Sequence, residues 1–258
     1  MNLASKDKKK RSNNSNDDSL ENFDLIWGEV ISMREKGNAP VDEFGCESFA
    51  NRKLPEDEWR FHVLVAAFLS SQTKDQVTFS CMNRLIEYGL TPKSINEISI
   101  ESLRELLYGV GFYNTKAKNL KEISKILVEN YSGRVPDKYE QLVKLPGIGP
   151  KMANLILQTG FGIVVGISVD THMHRIFNRI GWVKTTTPLE TGKEMEKRLQ
   201  RKYWNEINRV FVGFGQTICK PIGPKCSECS ITNYCNFGGK RRKKNKIKVY
   251  YEDEGKEG

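Results

Sequence analysis

The sequence predicts an all-α fold, on two observations. Apolar residues recur every three or four positions through most of the chain, and no stretch sustains the alternation of a half-buried strand. Phe23, Ile26, Trp27, Val30 and Met33 form the first stripe, Phe61, Leu64, Val65 and Phe68 the second. Leu120, Ile123, Leu127 and Tyr131 form a third. Tyr139, Leu142 and Val143 mark a helical stretch before a glycine turn, and Met152, Leu155 and Ile156 another beyond it. Met173, Ile176, Phe177 and Ile180 sit at i, i+3, i+4 and i+7, with Gly181 as a natural stop. Ile207, Val210, Phe211 and Phe214 complete the set. These stripes are core positions, and no chemistry is assigned to them.

At 258 residues the chain can bury a substantial core in one or two domains. Its formal net charge of +9 favours a polyanionic partner, but basicity alone is a moderate clue. Residues 1–20 hold +2 of that charge, residues 236–258 hold +4, and the rest of the chain only +3. Binding of a polyanion by the core would therefore depend on where its charges stand. Met1–Ser19 has no apolar segment, which argues against secretion. It is Lys-, Asn- and Ser-rich and is expected to be disordered, as is the charged segment 238–258. Met152–Val169 carries no formal charge, yet it contains Asn154, Gln158, Thr159, Ser168 and three glycines. A helix followed by a buried connection fits it better than a membrane span.

Four of the six cysteines lie between Cys219 and Cys235, and in a chain with no secretory leader such a cluster points to a metal site. Cys219, Cys226, Cys229 and Cys235 have the spacing C-x6-C-x2-C-x5-C. Four thiolates so placed can close around zinc or hold a [4Fe–4S] cluster. Zinc ribbons usually pair two C-x2-C knuckles, and only one occurs here. Lys220 and Lys225, between the first two cysteines, could meet phosphates or be ordinary solvated lysines.

Leu145-Pro146-Gly147-Ile148-Gly149-Pro150-Lys151 joins two helical stretches. Gly147 and Gly149 allow a tight turn whose amides, at the start of the next helix, make an anion site. Such a contact positions a nucleic acid without reading its sequence. Lys151, just inside that helix, feels the positive end of its dipole, and partial burial would favour the neutral amine further. A neutral amine can attack a sugar carbon and form an imine, and a phosphate-binding lysine is the plainer alternative. Val169-Asp170-Thr171-His172 opens the helix of Met173, with Asp170 placed to cap it. His172, Arg175 and Arg179 share a polar face, open to DNA or to solvent alone. Leu69-Ser70-Ser71-Gln72-Thr73-Lys74-Asp75 ends one helix and starts another, with Asp75 expected as its cap.

Several strings together resemble the endonuclease III family: S-S-Q-T-K-D-Q-V-T, L-P-G-I-G-P-K-M-A, V-D-T-H-M-H-R-I, V-G-F-G-Q and the cysteine pattern. They look like its eukaryotic rather than its bacterial branch, over roughly Asp24 to Cys235. The resemblance implies two helical lobes with a DNA-binding cleft between them. A six-helix barrel lobe with a helix-hairpin-helix spans 56–161, and an iron–sulfur lobe joins 20–55 to 162–237. It implies a bifunctional DNA glycosylase/AP lyase of base excision repair, acting on oxidised pyrimidines and abasic sites in double-stranded DNA. Lys151 would be the nucleophile, Asp170 the catalytic carboxylate, and the four cysteines the ligands of a [4Fe–4S] cluster. Gln72 would fill the gap left by a flipped nucleotide, with Phe112 as an apolar wedge. Gly147, Gly149, Lys220 and Lys225 would contact DNA. A monomer without membrane association is expected. Lys8–Arg11 and Lys240–Lys244 would direct nuclear import, tether DNA or merely solubilise the tails. The family also works in mitochondria, although Asp7, Asp17 and Asp18 argue against a transit peptide. Two rivals remain: a non-catalytic DNA-binding module stapled by zinc, and a glycosylase without lyase activity.

Overall fold

The computed structural model describes residues 20–35 and 37–239. The expected tails, with their basic runs, lie outside the described residues except for Gly238 and Gly239. In chain order the helices are α1 (Phe23–Arg34), α2 (Pro40–Phe44), α3 (Glu56–Leu69), α4 (Asp75–Tyr88), α5 (Pro92–Glu97) and α6 (Ile100–Leu106). They continue with α7 (Tyr113–Tyr131), α8 (Tyr139–Leu142), α9 (Pro150–Phe161), α10 (Thr171–Ile180), α11 (Pro188–Arg198) and α12 (Ile207–Thr217). Short 3-10 turns occupy Cys46–Phe49, Arg201–Tyr203 and Ser230–Tyr234. Among the described residues there is no strand, so the fold is all-α as the periodicity predicts.

Each stripe lies on a helix and faces inward. α3 is the central one: Phe61 through Leu69 are all buried, as befits a helix apolar on every side. Its first turn, Glu56-Asp57-Glu58, places carboxylates at the positive end of the dipole. α10 carries its apolar residues on one face and ends at Gly181, whose φ of 103° is open to glycine at no steric cost. α11 starts with a capping box. Glu190 N donates to Thr187 Oγ1 at 3.2 Å, Thr187 N donates to Glu190 Oε2 at 3.3 Å, and Pro188 holds the first helical position.

The buried residues form two cores. One runs from Phe49 to Leu157 and gathers α3 to α9. The other joins Leu20–Val30 of the N-terminal segment to Ile167–Ile231, with α1 packed on α12, α12 on α10 and α10 on α11. A fully buried Leu or Phe in either contributes about 1.5–3 kcal/mol. The uncharged stretch Met152–Val169 is mostly α9, followed by a connection buried from Gly166 to Val169. Among the described residues no helix is long and apolar enough to cross a membrane.

Candidate active site

A cleft of about 970 Å³ lies between the two cores, and Gln72, Lys151 and Asp170 all line it. Three residues singled out on separate strings therefore meet in one place. Lys151 is the second residue of α9, behind Pro150 at its first position. Its side chain is exposed, so the expected partial burial is absent. The reason is local: α9 begins at the cleft wall, where Pro150 and Lys151 are both exposed and line the cavity.

Asp170 caps α10, as expected, accepting the Met173 amide at 2.8 Å through Oδ1. The segment ahead of it is held at several points. Ile167 N donates to Glu196 Oε1 at 2.7 Å, Asn208 Nδ2 donates to the Ser168 carbonyl, and Ser168 Oγ reaches the Lys151 carbonyl at 3.4 Å. That last bond ties the Asp170 strand of chain to the start of the Lys151 helix. Glu196 and Asn208 also line the cleft.

The hairpin between α8 and α9 is pinned by buried Ile148, whose amide bonds the Leu145 carbonyl at 3.1 Å. Its two glycines differ. Gly147 has φ +78°, and a Cβ there would lie 2.9 Å from Asn119 Nδ2 and 3.0 Å from Phe68 Cε2. Gly149 has ordinary φ, and a Cβ there would meet nothing within 4 Å. Only Gly147 is demanded by the turn; Gly149 keeps a backbone surface bare. We therefore expect Gly147→Ala to cost about 2–4 kcal/mol, from left-handed strain plus overpacking against α3 and α7. Gly149→Ala should stay within about 0.5 kcal/mol of the parent. Urea unfolding of both variants checks this, and equal losses would refute the distinction.

Gln72 sits at φ 51° and Phe112 at φ 57°, both left-handed positions that non-glycine residues rarely occupy. Gln72 borders the cleft and also an adjoining groove lined by His172, Lys220 and Ile222. Phe112 lies outside the cleft lining and is 66% exposed, so it is not core. Gly111, beside it, donates its amide to Thr73 Oγ1 at 3.1 Å, and a Cβ there would collide with the Gln72 carbonyl. The two loops thus touch.

Cys219, Cys226, Cys229 and Cys235 line one pocket under α10, with Ile176, Phe214 and Ile231. Burial pushes the Cys229 thiol up to about 11 and raises that of Cys235. Among the described residues, no three Cys, His, Asp or Glu side chains are set to hold a single metal ion. Lys220 and Lys225 are exposed, and Lys225 pairs with Glu228 at 3.3 Å.

Some expectations are corrected. Asp75 does not cap α4; Lys74 holds that position without a side-chain bond. Asp75 instead accepts Gln216 Nε2 at 2.7 Å, while Gln216 Oε1 accepts the Val41 amide at 2.9 Å. This bridge spans the cleft floor from α12 to α4. Arg175 and Arg179 form neither a free polar face nor an open DNA contact. Arg175 donates to the Cys219 carbonyl at 2.8 Å, and Arg179 to those of Lys220 at 2.8 Å and Pro221 at 3.0 Å. Both arginines are struts of the cysteine loop. Sequence reasoning missed Glu196, Asn208 and Gln216 because each acts on a partner far away in the chain.

Residues 65–202 match the family model described as HhH-GPD superfamily base excision DNA repair protein. The chain is 46% identical over 221 residues to "Endonuclease III homolog 1, chloroplastic" of Arabidopsis thaliana, covering 81% of this chain and 58% of that one. It therefore spans little more than half the length of that relative. It is equally 46% identical over 183 residues to "Endonuclease III" of Thermotoga maritima, covering 71% of this chain and 85% of the relative. Its fold superposes with a TM-score of 0.72 and 29% identity on "Structure of a Trapped Endonuclease III-DNA Covalent Intermediate: Estranged-Adenine Complex", covering 85% and 98% of the two chains. An all-α architecture, a glycine hairpin opening onto a cleft with a lysine and a capping aspartate, and these likenesses agree: the chain belongs to the endonuclease III family, within the HhH-GPD superfamily of base excision DNA repair proteins.

Proposed function

We propose that the chain is a bifunctional DNA glycosylase/AP lyase that removes oxidised pyrimidines from double-stranded DNA. The observation that carries this reading is the convergence of Lys151 and Asp170 on one cleft beside the hairpin. A DNA-binding module has no use for a lysine and a carboxylate facing one cavity. The solved relative trapped as a covalent intermediate with DNA supports a reaction that passes through a protein–DNA bond. The two cores correspond to two lobes, 56–161 and 20–55 with 162–237, except that Phe49 of the N-terminal segment packs into the first core, and DNA lies across the cleft between them. The bare backbone at Gly149 and the amides of the first turn of α9 grip a phosphate. Lys220, in the groove beside the cleft, and Lys225, on the cysteine loop, add positive charge. The damaged nucleotide swings into the cleft, and Gln72 and Phe112 hold the gap.

Lys151 Nζ then attacks deoxyribose C1′. The glycosidic C–N bond breaks, its electron pair leaves with the base, and the base is protonated. Loss of a proton from the amine and opening of the sugar ring give an imine between Nζ and C1′. A C2′ proton is removed, the C3′–O bond breaks, and the strand is cut 3′ to the lesion with phosphate as leaving group. Asp170 either stabilises the positive charge on the sugar or takes the proton from Lys151. Borohydride added during turnover on a duplex with one thymine glycol should leave a covalent protein–DNA band. Base release without that band would make the chain a monofunctional glycosylase. Neither signal, on this lesion and on an abasic site alike, would sink the proposal.

The four cysteines fit a [4Fe–4S] cluster, held by their thiolates as a structural staple of the second lobe. They share one pocket, and their spacing has only one of the two C-x2-C knuckles that zinc ribbons usually pair. Arg179 Nη1 and the Gly238 amide lie 3.4 Å from Cys219 Sγ and Cys235 Sγ, donors that would steady the thiolates. We expect the purified chain to carry iron and acid-labile sulfide in equal amounts; stoichiometric zinc without sulfide would overturn this assignment. We place the chain in the nucleus, with mitochondria as a second compartment, on its two basic runs and its likeness to the family. The Arabidopsis relative is named as chloroplastic, so the family is not confined to either.

A further inference from the structure

Lys116 is the one lysine among the described residues that is buried, with 5% of its surface exposed. It sits one turn into α7, its amide bonded to the Phe112 carbonyl at 3.0 Å. Its ammonium donates to the Leu69 carbonyl at 2.7 Å, the Ser71 carbonyl at 2.6 Å and Thr73 Oγ1 at 3.2 Å. Three donors thus meet three acceptors. Thr73 completes the knot, for its hydroxyl donates to the Ser71 carbonyl at 3.1 Å and accepts the Gly111 amide at 3.1 Å. Leu69 ends α3, so the cation also satisfies a carbonyl at the negative end of that helix.

Apart from Leu69, these partners lie at or beside two residues. Gln72 lies between Ser71 and Thr73, and Phe112 lies between Gly111 and the start of α7. Both are non-glycine residues in left-handed backbone, a conformation that persists only where surrounding bonds over-determine it. Water could satisfy the same carbonyls on an exposed loop, but a buried charge without an acid beside it is costly and asks for a use. Among the described residues Lys116 has no ion pair, and burial pushes its ammonium down to about 8. The charge is held by the dipoles of two carbonyls and one hydroxyl.

We infer that Lys116 is a positioning residue for duplex opening: it locks the Gln72 loop and the Phe112 turn together, so that both residues enter the DNA stack as one rigid unit. The inference rests on the glycosylase reading above. Lys116 touches neither the sugar nor the base, so its removal should spare every step after the nucleotide has left the stack.

The test compares one lesion in two settings, a thymine glycol opposite adenine and the same lesion opposite a tetrahydrofuran abasic analogue. In the second there is no pair to break and no orphan base to hold. Under single turnover, Lys116→Met should slow base release opposite adenine by at least about tenfold, and opposite the analogue by less than about threefold. Lys116→Arg, which keeps a buried cation with several donors, should recover most of the loss. Once Gln72→Ala is in place, Lys116→Met should change the adenine-paired rate by no more than about threefold, since the two act through one element. Should Lys116→Met not fold, Lys116→Gln, whose amide retains a donor, carries the same comparison. Equal losses in the two settings, or losses that multiply with those of Gln72→Ala, would overturn the inference while leaving the glycosylase reading intact. A wild-type chain that releases no base from either duplex overturns both.

Discussion

Replacing Lys151 by alanine is expected to abolish the borohydride-trapped adduct and to lower strand cleavage at an abasic site by about 10⁴-fold or more, the scale of losing a nucleophile. The prediction is sharp because nothing else should change. Lys151 is exposed, and among the described residues its side chain has no hydrogen bond or ion pair. Stability should stay within about 0.5 kcal/mol, as for other exposed positions without special contacts. The backbone amides of the hairpin remain, so binding to an uncleavable abasic analogue should weaken only by the loss of one phosphate-range charge. Measured together, adduct yield, cleavage rate, thermal unfolding and affinity separate two roles of one amine. Loss of adduct with affinity kept assigns Lys151 to chemistry. Loss of affinity with the adduct still formed would hand the chemistry to another amine and leave Lys151 as a phosphate contact.

The same lysine marks how far the sequence could lead. Its string, its place at a helix start and the capping position of Asp170 are all local features, and each occurs where its neighbours along the chain put it. The helices with strong apolar stripes were equally legible, because a one-sided helix carries its own burial pattern. α5, α6 and α11 were not. They are short or largely polar, and what fixes them is their caps: Ser94 N to Thr91 Oγ1, Ser102 N to Ser99 Oγ, and the Thr187–Glu190 box. Thr-Pro at 91–92 and again at 187–188 is a readable start signal that an apolar count ignores.

What the sequence could not carry is the long-range polar wiring. Lys116 stands in a run of polar residues, Tyr113-Asn114-Thr115-Lys116, where a solvated lysine is the natural expectation; only the packing of α7 against the Gln72 loop buries it. Gln216 and Asp75 are 141 positions apart, and their bond exists because α2 packs on both α12 and α4. Arg175 and Arg179 look like a polar stripe open to DNA or to solvent, and the structure ties them to the cysteine loop. In each case the residue type was visible and the partner was not.

Asp170 allows a substitution that separates structure from chemistry. Its Oδ1 caps α10 at 2.8 Å, and asparagine caps about as well as aspartate. Asp170→Asn should therefore keep stability within about 0.5 kcal/mol, whereas Asp170→Ala should lose about 1 kcal/mol through the missing cap. Catalysis should fall about 10²–10⁴-fold in both, because only the charge is common to the two losses. The pattern of the fall then assigns the role of the carboxylate. A carboxylate that stabilises the sugar as the base departs matters for base release and little for a preformed abasic site, where C1′ is already an aldehyde. A carboxylate that takes the proton from Lys151 matters for both, since the amine must be neutral to attack either carbon. Single-turnover rates of Asp170→Asn on a thymine glycol duplex and on an abasic duplex decide between them. A large defect on the first alone points to charge stabilisation, and matched defects point to activation of Lys151. Full activity on both would reduce Asp170 to a helix cap, leaving the cleft with a nucleophile and no acid–base partner among the residues assigned here.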